Sequence, residues 1–141
     1  MDKTYSLNEI KHEIDRLAAQ IGAPDALLPT YGYSEDGARP HMEVDSRGYH
    51  YVVVERREEL NRVTTSELDE LLYHVFAGVT FALACQYELK HRVQNQDFRR
   101  LMFGHQIQLL SLLSAKWAEV ESQEHERILR QHPYDDSLTH N

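Results

Sequence analysis

Apolar residues recur along the chain in two different periods. Ile10, Ile14, Leu17 and Ile21 are three or four positions apart, which makes one stripe on a helix. Ser6 and Glu9 precede that stripe at capping-box spacing, each side chain able to satisfy the other's backbone N–H. Gly22 and Pro24 follow as stop signals, so a helix is predicted over 6–22. Residues 22–40 hold three glycines and three prolines and read as loop, with a short strand at 27–33. The period then falls to two. His41–Asp45 alternates, Ser46-Arg47-Gly48 supplies a turn, and Tyr49–Arg57 carries a β-favouring run. A three-residue loop with glycine last suits a type I turn followed by a left-handed residue. The expectation is a small antiparallel sheet of two or three strands over 27–57.

Helical spacing returns after residue 63. Thr64 and Glu67 repeat the capping-box spacing, and Leu68, Leu72, Val75, Val79, Ala82, Leu89 and Val93 share one side of a helix over 64–94. Gln86 interrupts that side, while Leu71, Phe76, Leu83 and Tyr87 widen it, a breadth that implies more than one packing neighbour. A second long helix over 95–132 buries residues such as Phe98, Met102, Leu110 and Trp117, with Gly104 marking a kink or a close approach. The pattern fades into EVESQEHERILRQ, Pro133 ends it, and 133–141 reads as tail. The connection between the long helices is short enough to force an antiparallel pair. The fold class is α+β in one domain, 1–141: N-terminal helix, small sheet, C-terminal pair of long helices.

Charge sharpens this picture. The chain has 141 residues and a formal net charge of −8. Residues 1–70 carry fifteen acidic and eight basic side chains, −7 in all, whereas 71–141 carry eight and seven, −1. Phosphates would be repelled by the first half, so nucleic acid is not an expected ligand. A basic protein surface would be attracted, although acidity also serves solubility alone. The one cysteine, Cys85, lies in the apolar stretch VTFALACQY and fits a buried thiol in a reducing compartment. No eighteen apolar residues run together and the N-terminus has no apolar core, so the expected location is cytoplasmic, with no membrane span.

The candidate chemistry is thin. Glu9 with His12 and Glu88 with His91 have the Glu-x-x-His spacing of di-iron bundles. If Leu89 marks the core direction, however, Glu88 points about 100° and His91 about 160° away from it, as surface residues would. No phosphate loop, nucleophile elbow or zinc spacing is present, and no cofactor is expected. Lys90, Arg92, Arg99 and Arg100 cluster around the bend between the long helices, either as a phosphate site or as partners for helix dipoles and the acidic half. Tyr31, Tyr33, Tyr49 and Tyr51 stand among Glu35, Asp36, Glu43 and Asp45, a composition suited to an interface, although alternation must turn some of these tyrosines into the core.

The segments IDRLAAQIGAPDALLPTYGYS, PHMEVDSRGYHYVVVERREEL, ELDELLYHVFAGVTFALACQYELKHRV and QDFRRLMFGHQIQLL resemble immunity proteins of bacterial polymorphic toxin systems, most of all the immunity protein 63 family, over about residues 6–136. The resemblance implies a cytoplasmic antidote that binds a cognate toxin by covering its active site or substrate path, without turnover. Its partner would be a toxin with a basic surface. The contact candidates, taken from the reading above, are Tyr31, Tyr33, Glu35, Asp36, Glu43 and Asp45. Two other readings stand beside it: a metal-dependent helical-bundle enzyme using Glu88 and His91, and a structural or regulatory protein forming a homodimer through Phe98, Phe103 and Trp117.

Overall fold

The computed structural model describes residues 4–137 and divides into two compact units, one ending at Phe76 and the other beginning at Ala77. The first unit opens with α1 (Leu7–Gln20), whose capping box forms as predicted: Glu9 N–H donates to Ser6 Oγ and Ser6 N–H to Glu9 Oε1, both at 3.1 Å. Ile10, Ile14 and Leu17 form its buried stripe, and Gly22 takes the left-handed backbone beyond its end.

The sheet differs from expectation. It has four strands in the order β1-β2-β3-β4: β1 (Thr30–Tyr31), β2 (His41–Asp45), β3 (Gly48–Glu55) and β4 (Glu58–Thr65). β1 runs parallel to β2, so the sheet is mixed. β4 escaped the sequence reading because EELNRVTT shows no apolar alternation. It is the outer strand, largely solvent-exposed from Glu58 to Thr64, and so has no buried face to mark it. Thr64 consequently pairs with His50 inside the sheet and does not cap a helix. Thr65 takes that role one residue later, its hydroxyl accepting from Glu67 N–H (3.0 Å) and donating to Glu70 (2.9 Å) ahead of α2 (Leu68–Lys90). Between β2 and β3 the loop proper is Ser46-Arg47, because Gly48, with the expected positive φ, already pairs with Asp45. Met42, Tyr49 and Val52 are buried, as are Leu71, Leu72, Val75 and Phe76 on the first half of α2. The Tyr49 hydroxyl accepts from Tyr5 N–H at 2.8 Å and ties β3 to the start of α1.

The second unit contains the rest of α2 with α3 (Phe98–Leu113) and α4 (Ala115–Gln131). The predicted 95–132 helix is therefore two helices, broken at Ser114. That residue is extended (φ −163°, ψ 121°); its N–H donates to Leu110 O, closing α3, while its Oγ accepts from Trp117 N–H, capping α4. Gly104 marks no close approach, since nothing lies within 4 Å of where its Cβ would be, and α3 runs through it unbroken. The α2–α3 pair is antiparallel as expected: Cys85 meets Met102 (3.4 Å) and, about two turns back along α2, Gln106 donates to Ala77 O (3.0 Å). Gln106 also bonds His125 (2.9 Å), so α4 folds back along α3.

The buried side of α2 turns as the helix proceeds. Thr80, Ala84 and Glu88, four apart, are buried, whereas Leu89 is 65% exposed and Val93 is exposed. Leu89 thus misidentified the core direction. By length and composition α2 is apolar enough to cross a membrane, a property it shares with helices that pack on several sides. The tail also departs from expectation. Asp97 accepts from Asp135 N–H (2.9 Å) and Asp136 pairs with Arg100 (2.9 Å), so residues 133–136 are docked; 138–141 lie outside the described residues.

Candidate functional site

The β3–β4 connection turns through Arg56 (φ 52°) and Arg57 (φ 65°), and Glu55 pairs with Glu58 across it. Two left-handed central residues define a turn usually built from Asn-Gly, and each arginine there costs roughly 1–2 kcal/mol. Segment 36–38 lies against this turn. Asp36 Oδ1 accepts from Arg57 N–H (2.6 Å), Ala38 N–H donates to Val54 O (3.0 Å), and Gly37 bridges to Glu55. Asp36 (φ 56°) and Ala38 (φ 66°) are left-handed as well. Of five non-glycine residues with positive φ in the described chain, four therefore converge here. Beside them β4 bulges. Val53 opposes Asn61 and Val54 opposes Glu59, so Leu60 is the extra residue, and it is 56% exposed. Sequence reasoning missed this tip, because Arg-Arg is no turn signal and the strand beyond it lacks alternation.

Tyr31 and Tyr33 line a groove of about 410 Å³ shared with Lys11 and Asp15 of α1, Asp25 and Arg39. Tyr33 is 61% exposed, whereas the Tyr31 hydroxyl is buried without a hydrogen-bond partner. Burial first, then the charge of Asp15, pushes that hydroxyl's pKa up and keeps it protonated. Arg39 donates to Leu28 O (2.8 Å) and Asp25 O (2.9 Å) and pairs with Glu35 (3.2 Å).

Glu43 and Asp45 belong to a different surface. Glu43 meets His41 (2.7 Å) and Arg62 (3.3 Å), and these contacts, the imidazole foremost, hold its carboxyl below the usual range. Asp45 bonds buried His50 (2.8 Å) and Arg47, side chain and backbone, which bring its pKa down to about 2; the His50 bond is the largest cause. β3 runs about 23 Å from Gly48 to Glu55 at ~3.3 Å per residue. Asp36 and Asp45 thus lie at opposite ends of the sheet. The six candidate contacts do not form one patch: Glu35 and Asp36 lie toward the β3–β4 turn, Tyr31 and Glu43 are one register step apart in mid-sheet, and Asp45 is at the other end. Tyr49 is core and Tyr51 half-buried.

The remaining candidates have structural roles. Glu88 is buried and pairs with Arg92 (2.9 Å), while exposed His91 stacks on Tyr87, so the two do not converge. Glu9 caps α1. Among the described residues no three His, Cys, Asp or Glu side chains gather as metal ligands. The Cys85 thiol is pushed up in pKa by burial and then by the charge of Glu88. Three of the four basic residues pair within their own unit. Arg92 binds Glu88, Arg99 binds Asp97 and the carbonyls of His132 and Pro133, and Arg100 binds Asp136 and covers the Tyr134 ring at 4.1 Å. Phe103 and Trp117 are buried and Phe98 is partly so.

The arrangement offers surfaces for binding. The comparison with known families gives the class: the chain belongs to the immunity protein 63 family, whose model matches residues 45–127, more than half its length. Proteins of this family are immunity proteins, generally non-enzymatic, with a toxin as partner. No curated protein and no solved structure matches the chain.

Proposed function

We propose that this chain is a cytoplasmic antidote of a polymorphic toxin system, binding one cognate toxin domain without turnover, and that it docks through the β3–β4 end of its sheet. The observation that carries the site is the gathering of four left-handed, non-glycine residues at one exposed tip. Such strain persists where the surroundings over-determine it, and it concentrates where a shape is needed for binding. Leu60 on the β4 bulge supplies exposed apolar area beside it, and Tyr33 an exposed ring three residues before Asp36, the chemistry of an interface anchor. Charge at this end is a mosaic: Glu35, Asp36, Glu55, Glu58 and Glu59 against Arg39, Arg56, Arg57 and Arg62. The acidic surplus of the first seventy residues then serves to speed encounter with a basic toxin surface, while the mosaic fixes the docked orientation.

The test is co-expression with the toxin encoded beside this chain, followed by affinity measurement on the purified pair. The native chain should rescue growth. Tyr33→Ala combined with Leu60→Ala should weaken the complex at least 100-fold with an unchanged circular dichroism spectrum. Replacing Asp45, at the far end of the sheet, should change affinity less than threefold. An unaltered complex in the double variant rejects the site, and failure of the native chain to protect rejects the antidote reading.

A further inference from the structure

β4 is an outer strand of eight residues, exposed along most of its length. The direction of its backbone groups follows from two hairpin loops. Ser46-Arg47 is closed by Asp45 and Gly48, and Arg56-Arg57 by Glu55 and Glu58. The pair closing a two-residue loop exchanges hydrogen bonds, and such pairs alternate with open ones along an antiparallel ladder. Both loops give one assignment: Gly48, His50 and Val52 bond to β2, while Tyr49, Tyr51, Val53 and Glu55 bond to β4. Val54 O, which this assignment turns to the β2 side, accepts there from Ala38 N–H. Opposite Tyr49, Tyr51 and Val53 stand Thr65, Val63 and Asn61, so the N–H and C=O of Arg62 and Thr64 point away from the sheet. No hydrogen bond among the described residues reaches these four groups. Edges of this kind are commonly blunted by proline, lysine or shortness. Here 61–65 is regular and lacks proline, and its one charge, Arg62, is held on the sheet face by Glu59 (2.8 Å) and Glu43 (3.3 Å). The bulge at Leu60 confines pairing to that stretch. Beyond it Glu55 and Glu58 oppose each other on the last rung of the hairpin, and no cation pairs with either among the described residues. Like charges so placed favour a cation from outside.

We infer that the toxin adds an extended segment to this edge, its backbone bonded to Arg62 and Thr64 and a basic side chain set beside the Glu55–Glu58 pair. A second copy of this chain fits the edge poorly. With β4 against β4, Arg62 opposite Thr64 would put Glu59 opposite Glu67 of the other copy, and the neighbouring register would put the two Arg62 side chains opposite each other. The partner's identity rests on the antidote reading; the edge lengthens the docking surface from the tip along β4.

Amide hydrogen exchange, read by NMR on the full ¹⁵N-labelled chain free and bound to the unlabelled toxin encoded beside it, tests the edge. In the free chain Arg62 and Thr64 should exchange roughly 100-fold faster than Val63 and Thr65, and in the complex they should slow to match them. Thr64→Ala and Thr64→Pro both lose the hydroxyl bond to His50, but only proline also removes the outward N–H. The proline variant should therefore bind toxin about 30-fold more weakly than the alanine variant, with Val63 and Thr65 still protected in the free chain. Glu55→Gln with Glu58→Gln should weaken binding about tenfold. Arg62 and Thr64 amides that stay fast inside a formed complex, or equal affinity of the two Thr64 variants, overturn the edge. Unaltered affinity in the double glutamine variant overturns the basic contact. Protection that rises with the concentration of the free chain assigns the edge to a second copy and overturns the toxin as its occupant. Absence of any complex rejects the antidote reading and this occupant together, whereas a formed complex with fast amides rejects the edge alone.

Discussion

In the helical unit the buried polar side chains complete one another. Gln106 donates to Ala77 O and bonds His125, and His125 has Glu121 at 3.4 Å. Asp97 is fully buried yet accepts from Arg99 and from the backbone of Arg99 and Asp135. The sheet unit is built otherwise. Both buried side-chain polar atoms without a partner among the described residues, Tyr31 Oη and His41 Nδ1, belong to it, and so do four of the five left-handed non-glycine residues. One unit uses polarity to fix its own packing; the other leaves capacity and strain unresolved near solvent. A binding protein needs both, a scaffold that loses stability when touched and a surface that can change with little effect on the fold.

The sharpest way to break that contrast is at Asp97. Asp97→Ala strands Arg99 and releases the docked tail, and should cost about 3–5 kcal/mol in denaturant unfolding, the range for a broken buried ion pair. Gln106→Leu should cost about 2 kcal/mol, because His125 loses its partner inside the core. On the sheet side the sign reverses. Arg57→Gly relieves a left-handed arginine (φ 65°) and should raise stability by about 0.5–1 kcal/mol while weakening toxin protection. A stable variant with full protection would remove the functional meaning of the strained turn. The smallest effect concerns acid. Asp45, with a folded pKa of about 2 below its ordinary 3.8, adds stability that is complete above pH 4 and lost as pH falls toward 2. Asp45→Asn should flatten that limb of the stability profile, read by thermal melts from pH 5 to 2.

Much of the fold was legible where burial is one-sided. The stripe of α1 reported a single buried face; β2 and β3 were legible from their β-favouring run and turn, since His41 with Met42 and Tyr49 with His50 are buried on both faces. β4 was silent because it has no such face, and the second half of α2 misled because its buried side rotates past Leu89. The break at Ser114 left no glycine or proline to announce it; one serine ends α3 and caps α4 through different atoms. Of the candidate contacts, only Asp36 bonds to the strained turn. The turn itself was illegible, since a positive φ at arginine follows from contacts with a loop twenty residues earlier.

Gly48 has a wider reach than its place in a hairpin indicates. A methyl group there would come within 2.6 Å of the Thr65 carbonyl oxygen. Thr65 is both the last residue of β4 and the anchor for the first turn of α2. Enlarging position 48 by one carbon would therefore displace the junction where strand becomes helix, so the hairpin's tightness is also what sets where α2 begins.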